Sequence, residues 1–319
     1  MIVTVTMNAA IDRTLTVPNF QVSRRHRASE GITLAGGKGI NVARALKLLN
    51  CPVVATGLAG GRTGTRIVEE LTAEAILNDF VRIADESRTS TAVVDPTTNT
   101  YTEINEWGPH VEPEELEMLF EKLHYLSRGA EAVVFAGSLP RGVKPGFYAE
   151  AIRDLNRRGV RCVLDSDGEP LRLGIDAEPF LVSPNQQEAE SLAGQELNEQ
   201  DDFVMALDQI ADLGARNVLV SRETGCYALL REDRKPRRLY AAAPKVEPTS
   251  AVGSGDVLLA GFLAGRLEGR PPDDALRLAV AAATASTLAV GAGRLDPRDA
   301  GRLVNQVPIE ELERVSSGA

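Results

Sequence analysis

The sequence predicts an α/β protein, with a parallel sheet built from βα units and a small separate β-sheet projecting from it. Three observations lead there. From about Ala130 onward, short β-branched runs alternate with helical ones, as parallel strands with crossover helices require. Residues 89–108, "TSTAVVDPTTNTYTEINEWG", hold two strand-like runs around a turn-rich centre with no room for a crossover helix. A chain of 319 residues that is 43% hydrophobic can bury one large core, or a core plus an appendage, but hardly two full domains.

The elements follow in order. "DRTLTVPNF" and "RASEGITLAGG" read as strands that join the 89–108 hairpin in the small sheet, whose strands therefore lie within 12–35 and 88–108. "LAGGKGINVARALKLL" is a glycine cluster followed by a helix with Ile40, Ala43, Leu46 and Leu49 turned inward. "AEAVVFAGSLP", "GFYAEAIRDLNRRG", "VRCVLDSDG", "PFLVSPN", "QQEAESLAG" and "RNVLVSRETG" form the successive βα units. In "DDFVMALDQIADLG", Phe203, Ala206, Leu207, Ile210, Ala211 and Leu213 recur at helical spacing, giving an outer helix with one buried face. "TSAVGSGDVLLAGF" is a glycine-rich turn opening a helix with Leu258, Leu259, Phe262, Leu263 and Leu267 along it. The tail "RVSSGA" is expected to fray. Without internal repeats or a Pro-, Gly- or Ser-rich linker, residues 1–319 read as one domain.

Composition excludes several classes. A formal net charge of -10 argues against nucleic acid as a partner, since its binders carry a basic face. The start "MIVTVTMNAAID" lacks a leader pattern and no stretch reaches 18 apolar residues, so the expected place is the cytoplasm, with no membrane contact. Cys51, Cys162 and Cys226 are odd in number and widely spaced, which suits buried small hydrophobes better than disulfides or zinc ligands. His26, His110 and His124 lie outside every glycine motif, so histidine catalysis has no support.

The two glycine turns carry the chemistry. Gly253-Ser254-Gly255-Asp256 opens a helix whose free N–H groups and positive dipole end suit an anion such as a nucleotide phosphate. Taken alone, Asp256 reads equally as a favourable first-turn acid, Lys38 as a solvated loop lysine, and Asn185 with Glu188 as a capping pair. Neither turn fits the G-x-x-x-x-G-K-[ST] phosphate loop or the G-x-G-x-x-G dinucleotide turn.

Together, "TVTMNAAID", "AGGKGINVARAL", "TEINEWGP", "GSLPRGV", "LDSDGEPL", "PNQQE", "GSGD" and "AAATASTLAVG" resemble, in order and spacing over almost the whole chain, the ribokinase-like or PfkB family of sugar kinases. Within that family the chain is similar to the branch of 1-phosphofructokinases and tagatose-6-phosphate kinases. The resemblance implies a parallel-sheet α/β/α sandwich with a β-sheet lid over the sugar, ATP and Mg2+, and a carbohydrate hydroxyl as acceptor. It makes Asp256 the catalytic base and Gly253, Ser254 and Gly255 the anion hole. It gives Asp12, Gly37, Lys38, Asn41, Arg88 and Ser138 to the sugar phosphate. Asn185, Ser221, Gly225, Val246 and Ala283 fall to ATP, and Asn185 with Glu188 to the metal.

The chain departs from the family at Ala9 (usually proline), Ser254 (alanine), Ser183 (lysine) and Arg222-Glu223 (Leu-Gly). The last two changes fall beside the expected ATP phosphates, where Arg222 is a candidate replacement for the missing lysine. The expected activity is an ATP-dependent kinase of a ketohexose monophosphate, with fructose 1-phosphate first. Tagatose 6-phosphate or fructose 6-phosphate is the alternative, and a catalytically silent sugar-binding protein on the kinase fold stands as the alternative of another class. Because a projecting sheet leaves edges and an apolar face to cover, a homodimer pairing lid on lid is also expected.

Overall fold

The computed structural model describes residues 1–98, 100–232 and 235–314. The first third holds β1 (Ile2–Thr6), β2 (Ala10–Thr16), β3 (Glu30–Gly36), α1 (Lys38–Leu48), β4 (Val53–Gly60), α2 (Gly61–Ala73), β5 (Leu77–Ile83), β6 (Arg88–Asp95) and β7 (Thr100–Asn105). Next come α3 (Pro113–Leu126), β8 (Ala132–Ala136), α4 (Phe147–Arg157), β9 (Arg161–Asp165), α5 (Gly168–Ile175), β10 (Leu181–Val182), α6 (Gln186–Ala193) and α7 (Gln200–Asp212). The chain continues with β11 (Val218–Arg222), β12 (Gly225–Glu232), β13 (Lys235–Ala242), α8 (Ser254–Leu267), α9 (Pro272–Ser286), α10 (Pro297–Leu303) and β14 (Ile309–Leu312).

The large sheet runs β14-β13-β12-β11-β10-β9-β8-β1-β4-β5. From β11 to β5 every neighbouring pair is parallel, and from β11 to β14 every pair is antiparallel. Alternation along the strands feeds two cores. Val133 and Phe135 of β8 face α3, α4, α5 and α7, whereas Ala132, Val134 and Ala136 face α1, α8 and α9. The second layer is built close. A Cβ on Gly261 would stand 2.8 Å from Ala279 Cα, and one on Gly265 2.9 Å from Ala275 Cα, so α8 and α9 touch backbone to backbone.

The small sheet, β3-β2-β6-β7, contains the hairpin read from residues 89–108 and the two N-terminal strands. Several expectations need correction. The βα alternation stops after β11, where "GCYALLRE" and "KPRRLYAA" form an antiparallel extension rather than another crossover. Leu213, assigned above to the buried face of α7, is 47% exposed because it falls at the helix C-cap, past the last turn that packs on the sheet. Leu49 likewise sits at a C-cap and is only half-buried. The fraying tail concerns residues 314–319, of which 315–319 lie outside the described residues. All three cysteines are buried and free. Among the described residues no helix is long and apolar enough to cross a membrane.

Candidate active site

Two helix starts meet at one point. α1 begins behind Gly37 and α8 behind Gly253, and no side chain caps either start. One turn in, Asn41 Nδ2 donates to Asp256 Oδ2 at 2.8 Å, joining the two helices. Gly253 is fixed by geometry: its φ is 78°, and a Cβ there would lie 2.9 Å from Ala292 Cβ and 3.0 Å from the Gly293 nitrogen. The uncapped starts aim N–H groups and positive dipole ends into a shared space.

Lys38 supplies the cation there. Its Nζ lies 2.8 Å from Asp165 Oδ1 and 3.4 Å from Glu188 Oε1. Asp165 ends β9, on the side where parallel α/β sheets bind ligands. Burial pulls the lysine down, but Asp165, Glu188 and Asp256 outweigh it and hold the ammonium charged well above its ordinary range. Burial pushes Asp256 up to about 7, and the Asp165 charge adds to this, while Lys38 and the Asn41 hydrogen bond pull it back. A carboxylate half-ionised near neutrality is suited to accepting a proton. Sequence reasoning gave Asp165 no role, although it stands in the quoted "LDSDGEPL"; its one signal was its place at the end of a strand run.

The residues expected on the sugar side gather at the root of the small sheet. The Asp12 carboxylate lies directly over Gly36, where a Cβ would stand 1.9 Å from Asp12 Oδ2, so only glycine leaves it room. Burial raises Asp12 to about 6, Arg88 opposes this, and Glu103 adds to it. Arg88 donates to the Asn8 carbonyl at 3.3 Å and to Asn105 Oδ1 at 3.2 Å, and Asn8 Nδ2 donates to Ser138 Oγ at 3.1 Å. Ser90 bonds Glu103 and Asn105 across the β6–β7 pair, at 3.1 and 2.6 Å. Glu103 and Asn105 thereby join the same polar face; their spacing of two along a strand was the only hint in the sequence.

The expected nucleotide-side residues fall into two groups. Asn185 bridges to Ser221, and Gly225 opens β12 four residues beyond. Val246 and Ala283 instead are partly buried against the core on the α8–α9 side of the sheet. Asn185 and Glu188 form a reciprocal capping box at the start of α6, and Glu188 gives its other oxygen to Lys38. Among the described residues no group of three His, Cys, Asp or Glu could hold a metal ion. Magnesium commonly takes one or two carboxylates and completes its shell with substrate phosphates and water. The donors present therefore fit an ion arriving with phosphates better than a resident one. Arg222 does not replace the missing lysine: alternation sends it to the opposite face from Ser221, and its guanidinium lies 4.9 Å over the Phe203 ring. The histidines are engaged elsewhere, His124 with Asp154, His110 with Glu112 and His26 against Phe20.

A raised carboxylate beside a half-buried lysine, at two uncapped helix starts on an α/β sheet, belongs to a sugar phosphotransferase. The chain belongs to the pfkB family carbohydrate kinases, which it matches over residues 3–298. It is 30% identical over 313 residues to the 1-phosphofructokinase of Borreliella burgdorferi, covering 98% of this chain and 99% of that one. It is 33% identical over 286 residues to the 1-phosphofructokinase of Bacillus subtilis, covering 90% and 92%. A crystal structure described as a possible 1-phosphofructokinase from Thermotoga maritima superposes with a TM-score of 0.88 at 28% identity, over 98% of this chain and all of that one.

Proposed function

We propose that the chain transfers the γ-phosphoryl group of ATP to fructose 1-phosphate, forming fructose 1,6-bisphosphate and ADP. The observation that carries this reading is the full-length similarity, at about 30% identity, to relatives that are each a 1-phosphofructokinase. The tagatose 6-phosphate, fructose 6-phosphate and silent-protein alternatives are not favoured by these relatives.

In this reading Asp12, Asn41, Arg88 and Ser138 hold the sugar, and Gly37 and Lys38 attract its phosphate. The acceptor hydroxyl attacks the γ-phosphorus, its proton passes to Asp256, and the bond from phosphorus to the bridging oxygen breaks with ADP taking the electron pair. The N–H groups at Gly253, Ser254 and Gly255 hold the charge that spreads over the phosphoryl oxygens. Asn185, Ser221, Gly225, Val246 and Ala283 seat the nucleotide. Magnesium, when bound, neutralises part of the phosphate charge, with Glu188 and Asn185 as the protein groups to hold it.

An ADP-release assay over a panel of sugar phosphates tests the substrate. Fructose 1-phosphate is expected to give the highest kcat/KM. A better result with fructose 6-phosphate or tagatose 6-phosphate would replace it, and no turnover with any sugar would leave the silent protein. The small sheet is read as a lid; Ile104 on β7 and Trp107, two residues past that strand, are 63% and 86% exposed. A homodimer covering that surface is the expected state at micromolar concentration, in the cytoplasm. Sedimentation of a fully active monomer would contradict it.

A further inference from the structure

Arg44 lies three residues beyond Asn41, on the same face of α1. Its side chain is 3% exposed, and all five of its N–H groups are engaged. Nε and Nη2 donate to Glu74 at 2.6 and 2.9 Å, and Nη2 also donates to the Ala35 carbonyl at 2.7 Å. Nη1 donates to Asn41 Oδ1 and to the Ala292 carbonyl, both at 3.2 Å. These partners come from four places: the end of α2, the end of β3, the first turns of α1, and the loop against which Gly253 packs. Enclosing a guanidinium is costly, and an apolar side chain of similar volume often serves cohesion as well. The identity of the partners shows what the charge adds.

We propose that Arg44, held by Glu74, is a positioning residue for phosphoryl transfer: by donating to Asn41 Oδ1 it fixes which end of that amide faces Asp256. An amide beside a carboxylate can present its N–H groups or its oxygen. With Arg44 on Oδ1, a flip would leave a buried N–H of the guanidinium without an acceptor and set the amide oxygen against Asp256. Nδ2 therefore stays on the carboxylate and favours its ionised, proton-accepting form. The bond to Ala292 holds the Gly253 turn in register with the same amide, so base and anion hole keep their spacing. The other charged groups facing Asp256 are Asp165 from β9, Lys38 from α1 and Asp12 from β2; Arg44 hydrogen-bonds none of them, and its charge, which Arg44→Lys keeps, also lowers Asp12.

This deepens the kinase reading and rests on Asp256 as base. The test is the pH dependence of kcat/KM, measured with whichever sugar phosphate the wild type uses best, so that a wrong sugar leaves the comparison intact. Arg44→Lys keeps a cation beside Glu74 but cannot also reach Asn41. The acidic limb is expected to move up by about one pH unit in Arg44→Lys and in Asn41→Ala, with no further move in the double variant. At pH 7 kcat should fall about fivefold while KM for ATP stays within about twofold. A lowered Tm with the limb at its wild-type position would make Arg44 merely structural and overturn the proposal. Should Arg44→Lys not fold, Glu74→Gln, which loosens Arg44 and leaves Asn41 in place, must move the limb the same way; an unmoved limb overturns it. A wild type without an acidic limb would count against Asp256 as base and take this proposal with it.

Discussion

Asp256→Asn is expected to lower kcat by roughly 10²-fold to 10⁴-fold, the usual worth of a positioned base, while raising the stability of the empty protein above neutral pH. The side chain is nearly isosteric and Asn41 can still donate to the amide oxygen, so packing changes little. The gain in stability follows from burial. A carboxylate at 3.8 in the unfolded chain and about 7 in the fold binds its proton more tightly when folded. Wild-type stability is therefore highest below about pH 4, falls as pH rises toward 7, and levels off above, a loss on the order of 4 kcal/mol. The variant has no such loss. Its Tm should match wild type near pH 4 and exceed it by several degrees at pH 8. Calorimetry at both values, beside a kcat measurement, checks this. A variant keeping more than about a third of wild-type kcat would remove Asp256 from the role of base.

Lys38→Met should lower kcat/KM for fructose 1-phosphate by about 2 to 3 kcal/mol, the scale of a hydrogen bond made by a charged group. Two losses combine. The sugar phosphate loses a cation, and Asp165 and Glu188, 5% and 14% exposed, are left facing each other without a counter-charge. Glu188 and Asp256 should then hold their protons more tightly, so the loss is expected to be larger at pH 6.5 than at pH 8.5. Steady-state kinetics at those two pH values with fructose 1-phosphate and with free fructose separates the contributions. An equal loss on both sugars would assign Lys38 to transfer alone, and a variant within about threefold of wild type throughout would remove it from the site.

Much of the body was legible because parallel strands buried on both faces are continuous apolar runs, and because a turn-rich centre between two β-branched runs leaves only a hairpin. The antiparallel end of the sheet was not. "GCYALLRE" is apolar without alternation, and the four residues of β14 are too few to show a period. Leu213 misled because helical periodicity runs on past the residue where the helix stops. In the site, Asp256, Lys38, Asn41 and Asp12 could be picked out through their glycine turns and the order of the motifs. Asp165 and Arg44 could not, because an acid ending a strand and an arginine within a helix look like solvent-facing residues until the fold encloses them. Arg222 was legible as an anomaly, but its direction was decided by alternation along β11, which carries it to the Phe203 face.

The backbone contact of α8 with α9 bears on how the molecule moves. At Gly261 and Gly265 there is no side-chain cushion to deform, so sliding one helix along the other would drive Ala279 and Ala275 into backbone. Asp256, the base of the proposed transfer, thus rides at the head of α8 on a stator. In the lid reading proposed above, the part that moves is the small sheet, joined to the body through residues 7–9, 37, 84–87 and 106–112. That reading gives bond-making and the traffic of substrates to separate bodies, so that the pace of opening can drift through the hinges while the geometry of transfer stays fixed.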